Sequence, residues 1–497
     1  MTQAKEGLGQ ETSPNSGEAS PERVRADSVG RPRPSTVGAR IVDVLAVPAV
    51  GAGYYEDQAA LQAEHVPLPE RFSAPPLTPG FRAVREVAEV VSVGLVLDSG
   101  QVAWGDCVAV SYGARAGRDP VFRAAEGLET IQQVVAPLLR GRTLTSFREL
   151  AAEVDALTRQ VVVTRPIAPS ETAPPEGVSR RELLTAPLRA VQAARETVDV
   201  ERVDLERPLH TAIRYGLSQA LLEAVALARG WTMAQVIAGE WALSPPAAPV
   251  PIHAQSGSER YYNAQKMIAR RVASLPHALV DNPVEQVGPT GAELTHYLRW
   301  LVKYLDSQSD ETYRPAIHLD LHGALGQIYD NELGRMLGQL FAWELAAKPY
   351  LLRIESPMVL ESREAQIEAM ATLRNYARLR KMRAELVADE WANTLDDIRA
   401  FIDAEAADMI QVKMPDLGSI HNTIEAVLAC QAGSVGVLLG GSYAETDLSA
   451  RVAVHVGLAT RPDLLMARPG LGVDEAISLV HNEMARALAW PDNTRSE

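Results

Sequence analysis

Beyond residue 250 the chain alternates short apolar runs with amphipathic stretches of helix length. The apolar runs cover 250–255, 278–282, 316–321, 350–355, 385–389, 409–413, 435–439 and 464–467, and stretches such as 363–381 and 420–431 carry a helical period between them. Eight strand–helix units in succession predict an α/β barrel of the TIM type. A doubly wound open sheet is the rival, but no Gly-x-Gly-x-x-Gly follows an early strand, which counts against it.

Ahead of this series the pattern differs. Strand-like runs occupy 40–47, 89–97 and 101–111, and the turn Asp98-Ser99-Gly100 between the last two predicts a hairpin. Residues 51–81 hold glycines, prolines, Tyr54 and Tyr55 and read as a long loop, of the sort that often closes over a site. Helical patterns follow at 120–139, 144–157 and 209–229, the last closed by Gly230 as a C-cap. The segment 164–206 interrupts them as an insertion, its first half loop-like and its second half an extra helix. A Pro-rich stretch at 243–249 marks a boundary. The expected organisation is therefore a disordered tail at 1–38, an α+β capping domain at 39–245 and a (β/α)8 barrel at 246–497. The tail is rich in Ser, Pro, Gly, Glu and Arg and has too few large apolar groups to offset its ordering entropy.

Composition narrows the setting. The 497 residues carry a net charge of −15 spread along the chain, which argues against a nucleic-acid or anionic-membrane surface. Two cysteines, Cys107 and Cys430, exclude a disulfide framework and suit a reducing compartment. No apolar run approaches the roughly 18 residues of a membrane span, and the first residues lack a signal-peptide core. The expected location is the cytoplasm.

The chemistry sits at the ends of the predicted strands. Asp320, Glu355 and Asp389 are each about one β/α unit beyond the last, so they converge on one barrel mouth. Alone, each acid reads as a helix cap or a solvated loop residue. Together they would repel one another unless a cation lay between them, and hard oxygen ligands favour Mg²⁺. Lys413 ends the next strand. Beside a dication its ammonium form is disfavoured, which suits a base; the alternative is a plain ion pair with Asp389. Gln411 points the same way as Lys413 and can bind a substrate carboxylate. Gln255 ends the first barrel strand, and Ser442 follows the Gly-Gly turn. His277 lies at a loop–strand junction, where a single histidine is more often structural. His318 and His322 flank Asp320 on its own face. A metal with a lysine suggests removal of a proton next to a carboxylate, followed by loss of a leaving group from the adjacent carbon.

Several motifs carry a resemblance: H-A-Q-S-G (253–257), L-P-H-A-L (275–279), H-L-D-L-H-G (318–323), V-A-D-E-W (387–391), Q-V-K-M-P-D-L-G (411–418) and H-T-A-I-R-Y-G (210–216). On these residues the chain resembles the methylaspartate ammonia-lyases of the enolase superfamily. The resemblance implies a homodimer that uses Mg²⁺, assisted by K⁺, to eliminate ammonia from (2S,3S)-3-methylaspartate and form mesaconate. It makes Asp320, Glu355 and Asp389 the metal ligands and Lys413 the base. His277 would contact the metal-bound carboxylate and could serve the opposite face, while Gln255 and Gln411 would hold the substrate carboxylates. Where the family pattern has Gln, Thr-Cys and Leu, this chain has Ser111, Ser442-Tyr443 and Met466. Those departures leave open a different 3-substituted aspartate. A dehydratase or racemase of the same superfamily, and a non-catalytic binding protein, are the further alternatives.

Overall fold

A computed structural model describes residues 38–63, 66–166, 200–257, 259–308, 310 and 312–490. The tail predicted at 1–38 lies outside these residues except for Gly38, as does the extra helix predicted within the insertion.

The N-terminal unit is built on an antiparallel sheet of β1 (Ile41–Glu56), β2 (Arg85–Leu97) and β3 (Val102–Cys107), in the order β1-β2-β3. The predicted hairpin forms: Gly100 takes φ +82° and donates its N–H to the Leu97 carbonyl. Helix Thr211–Arg229 packs across this sheet. His210 caps its start by accepting from the Ala212 N–H, and Gly230 at φ 66° ends it. Helix and sheet approach closely because two glycines meet. A Cβ at Gly105 would lie 2.0 Å from the Gly216 carbonyl oxygen, and one at Gly216 would lie 2.6 Å from the Cys107 amide nitrogen. The flanks of the insertion form a two-stranded antiparallel sheet, β4 (Thr158–Pro166) with β5 (Val200–Pro208), so residues 164–166 are strand where a loop was expected and 200–206 are strand where the extra helix was expected.

The segment read as a loop at 51–81 begins as strand. β1 continues to Glu56 through a register shift between Val50 and Tyr54, and a helix follows at Gln58–Ala63. The glycines that suggested a loop have another cause. A Cβ at Gly51 would sit 2.4 Å from the Ala444 carbonyl oxygen, and one at Gly53 would sit 2.3 Å from that of Tyr443. They let the strand lie directly on a barrel loop, and the Ala52 N–H donates to the Glu445 carbonyl there.

Eight parallel strands close into a barrel: β6 (Ile252–His253), β7 (Ser274–His277), β8 (Ala316–Asp320), β9 (Leu352–Glu355), β10 (Glu385–Ala388), β11 (Met409–Lys413), β12 (Gly436–Gly440) and β13 (Leu464–Met466). The second strand falls earlier than the 278–282 expected from the apolar pattern. Pro276 reads as a breaker in sequence, yet it pairs with His318 in register and its carbonyl accepts from the Ser256 N–H. His277 therefore ends a strand, where the sequence had suggested a loop–strand junction. Val387, Met409, Leu438, Leu464 and Met466 form a small apolar cluster of their own. Among the described residues no single helix is long and apolar enough to cross a membrane.

Candidate active site

The closed strand order fixes where each strand-end group stands. His277 on β7 and Lys413 on β11 are four strands apart in a ring of eight, so they face each other across the mouth. Asp320, Glu355 and Asp389 come from the three strands between them. The mouth encloses a cavity of about 100 Å³, lined by Gln255, His277, Asp320, Asp389, Gln411, Lys413, Ser442, Tyr443 and Met466 from the barrel and by Ser111 from the cap. Glu355 lies beneath that wall, fully buried. It accepts from the Gln411 amide and from His318 Nε2 at 2.7 Å. Several groups here hold a left-handed backbone although none is glycine: His277 at φ 63°, His322 at 48°, Ser356 at 43° and Trp391 at 69°. Such outliers persist where the surroundings over-determine them, and they gather at working sites.

The charges are closely matched around one gap. Ligand atoms of His277, Asp320 and Glu355 lie within 4.8 Å of one another. Burial pushes the Glu355 carboxyl well above its ordinary range, and the nearby Asp320 and Asp389 carboxylates push it further. Burial would also raise Asp320, but His277, His322 and Lys413 outweigh it and hold that carboxyl low. Asp389 Oδ2 accepts from Lys413 Nζ at 2.8 Å, while its buried Oδ1 has no hydrogen-bond partner. Burial disfavours the Lys413 ammonium, yet Asp389, with Asp416 and Glu390, more than restores it. Lys413 thus makes the ion pair that was the alternative to a base. The set is all carboxylate oxygen apart from His277, with one orphaned oxygen and one acid raised by its neighbours. It fits a hard divalent cation.

Family models described as methylaspartate ammonia-lyase N-terminus and C-terminus match residues 39–186 with 176–242, and residues 246–492. The chain belongs to the methylaspartate ammonia-lyase family. It is 41% identical over 450 residues to methylaspartate ammonia-lyase 2 of Carboxydothermus hydrogenoformans, covering 90% of this chain and 98% of that protein. It is 39% identical over 451 residues to methylaspartate ammonia-lyase of Clostridium tetanomorphum, covering 90% and 98%. Among solved structures it superposes on a Mg complex of β-methylaspartase from Clostridium tetanomorphum with TM-score 0.75 and 37% identity, over 90% of this chain and 98% of that one. It also superposes on the Citrobacter amalonaticus methylaspartate ammonia-lyase containing (2S,3S)-3-methylaspartic acid, with TM-score 0.77 and 35% identity, over 90% and 99%. Muconate cycloisomerase from Pseudomonas fluorescens, at 15% identity and TM-score 0.52, shares the fold.

Seen as a methylaspartate ammonia-lyase family member, the chain has site groups that its sequence pattern did not single out. Arg118 comes from the cap loop G-A-R-A-G-R-D-P and is buried against the barrel. Its Nε donates to Asp416 Oδ2 at 2.9 Å, another nitrogen pairs with Glu390, and Nη2 lies 3.7 Å from Asp389 Oδ1. Asp416 and Glu390 stood inside quoted motifs, but only the fold gives them a common partner. Glu56 and Arg85 are register partners at the end of the cap sheet and form an ion pair on the cavity wall. Arg71 reaches Asp281 at 2.8 Å, and Gln58 bonds His322, so the segment after β1 is fastened over the mouth. Ser111, Ser442, Tyr443 and Met466, read in the sequence as departures from the family pattern, share the one cavity, with Ser111 Oγ 3.5 Å from Ser442 Oγ.

Proposed function

We propose that the chain eliminates ammonia from (2S,3S)-3-methylaspartate to give mesaconate. The observation that carries this reading is the placement of Lys413 and His277 on opposite walls of one cavity, with Asp320, Glu355 and Asp389 between them. A Mg²⁺ ion, with K⁺ as a possible second activator, would be held by those three carboxylates and would act as a Lewis acid that offsets charge developing on the substrate carboxylate. Asp389, engaged in that role, would lend less of its charge to Lys413 Nζ, whose ammonium it now favours together with Asp416 and Glu390. The C3–H proton then passes to Lys413 Nζ. The electron pair of that bond becomes the C2=C3 double bond, and the C2–N bond breaks with its pair leaving on ammonia. Gln411, on the Lys413 strand, and Gln255, on the cavity wall, hold the substrate carboxylates by donating from their amide N–H groups. His277 contacts the carboxylate beside the acids and serves the opposite face of C3.

Purified protein given threo-3-methylaspartate and Mg²⁺ is expected to produce the ultraviolet absorbance of mesaconate. Absence of that signal, with and without K⁺, would sink the proposal. Ser111, Ser442, Tyr443 and Met466 favour one variant reading, an aspartate with a different 3-substituent, and a panel of such aspartates distinguishes the two. The assembly is proposed to be a homodimer in the cytoplasm; light scattering in solution should return twice the chain mass, and the chain mass itself would refute the dimer.

A further inference from the structure

Behind His277 the barrel interior holds two further imidazoles, His253 and His318, for which the reaction above has no use. His253 on β6, His277 on β7 and His318 on β8 come from consecutive strands, and all three are buried. His253 Nδ1 lies 3.0 Å from Ser274 Oγ, on its register partner, and its Nε2 lies 3.1 Å from His277 Nδ1. His277 Nε2 then faces Asp320 Oδ2 across 3.5 Å at the cavity. Another group near His277 Nδ1 is Glu355 Oε2. At 4.0 Å it is beyond hydrogen-bond range, and it already accepts from His318 Nε2 at 2.7 Å. Among the described residues the inner nitrogen of His277 is thus engaged by His253.

We propose that His253 is a positioning residue for His277, and that the chain Ser274–His253–His277 makes Nε2 the nitrogen presented to the substrate. The proposal rests on the reading of His277 as the group serving the C3 face opposite Lys413. Two proton arrangements satisfy the chain. In one, the Ser274 hydroxyl donates to His253 Nδ1, His253 Nε2–H donates to His277 Nδ1, and His277 Nε2–H is a donor toward a carboxylate. In the other, His253 Nδ1–H donates to Ser274, and His277 Nδ1–H donates to His253 Nε2. His277 Nε2 then carries the lone pair of a base. Nδ1 is occupied in both, so the ring is held and only Nε2 works. In the second arrangement the C3–H proton passes to Nε2 as the C2=C3 bond forms and ammonia leaves with the C–N pair. Nδ1–H stays in place, pointing at His253. Burial and the neighbouring His277 keep His253 well below the ordinary histidine range, so it remains a neutral partner. An imidazole without such a partner shares its proton between both nitrogens and turns in its pocket; this is the orienting role of the third member of a catalytic triad.

The test uses the full chain with Mg²⁺ and compares wild type, His253→Phe and His253→Gln on the (2S,3S) and (2S,3R) epimers of 3-methylaspartate, whose C3–H bonds face opposite walls. His253→Phe should shift the ratio of the two kcat values by roughly 10–100-fold against the epimer whose proton faces His277, as outer partners of working histidines do, with KM little changed. Gln, which can still bond Nδ1, should return most of the ratio. Imidazole ¹⁵N spectra of the resting protein give a readout apart from turnover. With His277→Gln to assign the signals, the balance of His277 tautomers should differ between wild type and His253→Phe. Equal slowing of both epimers, or a His277 tautomer untouched by His253→Phe, would overturn the proposal. If wild type turns over neither epimer, the proposed reaction falls, and the spectra still decide the role of His253.

Discussion

Lys413→Ala is expected to lower turnover of (2S,3S)-3-methylaspartate by roughly 10²–10⁴-fold, the usual contribution of a positioned acid–base group. It should do so without loss of Mg²⁺ binding. Lys413 holds Asp389 Oδ2 at 2.8 Å and so competes with any cation for that carboxylate. Its removal leaves Asp389, Asp320 and Glu355 in place, and thermal stabilisation by Mg²⁺ should persist or grow. Asp389→Asn should behave differently, losing both turnover and the stabilisation. A ligand at about a hundred times its Kd adds about 2.7 kcal/mol of stability, so the loss is measurable as a fall in the metal-dependent melting shift. Melting curves with and without Mg²⁺, read beside initial rates, separate the two variants. Lys413→Ala with turnover within tenfold of wild type would remove lysine from the chemistry and return it to the plain ion pair. A non-catalytic binding protein would show the melting shift and no turnover in any variant.

The barrel was legible because its strands are apolar runs that end on reactive residues at a regular spacing. Asp320, Glu355 and Lys413 could be placed from that period alone, since each ends its strand. His277 was harder: Pro276 reads as a breaker, and only the closed ladder shows it inside β7. The same limit explains Gly51 and Gly53. A glycine marks either a turn or a close approach, and the approaching partner, Tyr443–Ala444, is far away in sequence. Local pattern reports what a residue does to its own backbone. It does not report what another domain brings to it. The groups supplied by the cap, Arg118, Glu56 and Arg85, were therefore invisible, although Ser111 was found through the resemblance. His253 was visible as part of a motif, and its link to His277 appears only when β6 and β7 lie side by side.

Arg118→Met tests the cap's part in the site and should be the most destabilising single change near it. The guanidinium is almost wholly buried and faces Asp416, Glu390 and Asp389. Burial raises the Asp416 carboxyl; burial would raise Glu390 too, but Arg118 and His322 hold it low. Methionine keeps much of the side chain's bulk and removes the charge, leaving acids buried without their cation. Removing one partner of a buried ion pair costs about 3–5 kcal/mol, far above the typical surface pair. The expected result is a clear fall in the urea midpoint with the slope retained. Neutralising Asp416 as well, in Arg118→Met/Asp416→Asn, should recover part of the loss, because the two groups share one contact and their effects are not additive. An unfolding free energy within about 0.5 kcal/mol of wild type, the range of ordinary surface substitutions, would show that the acids are satisfied without Arg118. Full loss with no recovery in the double variant would place the cost in Glu390 and Asp389 instead. In that case the seam between cap and barrel is held at the same carboxylate that Lys413 holds.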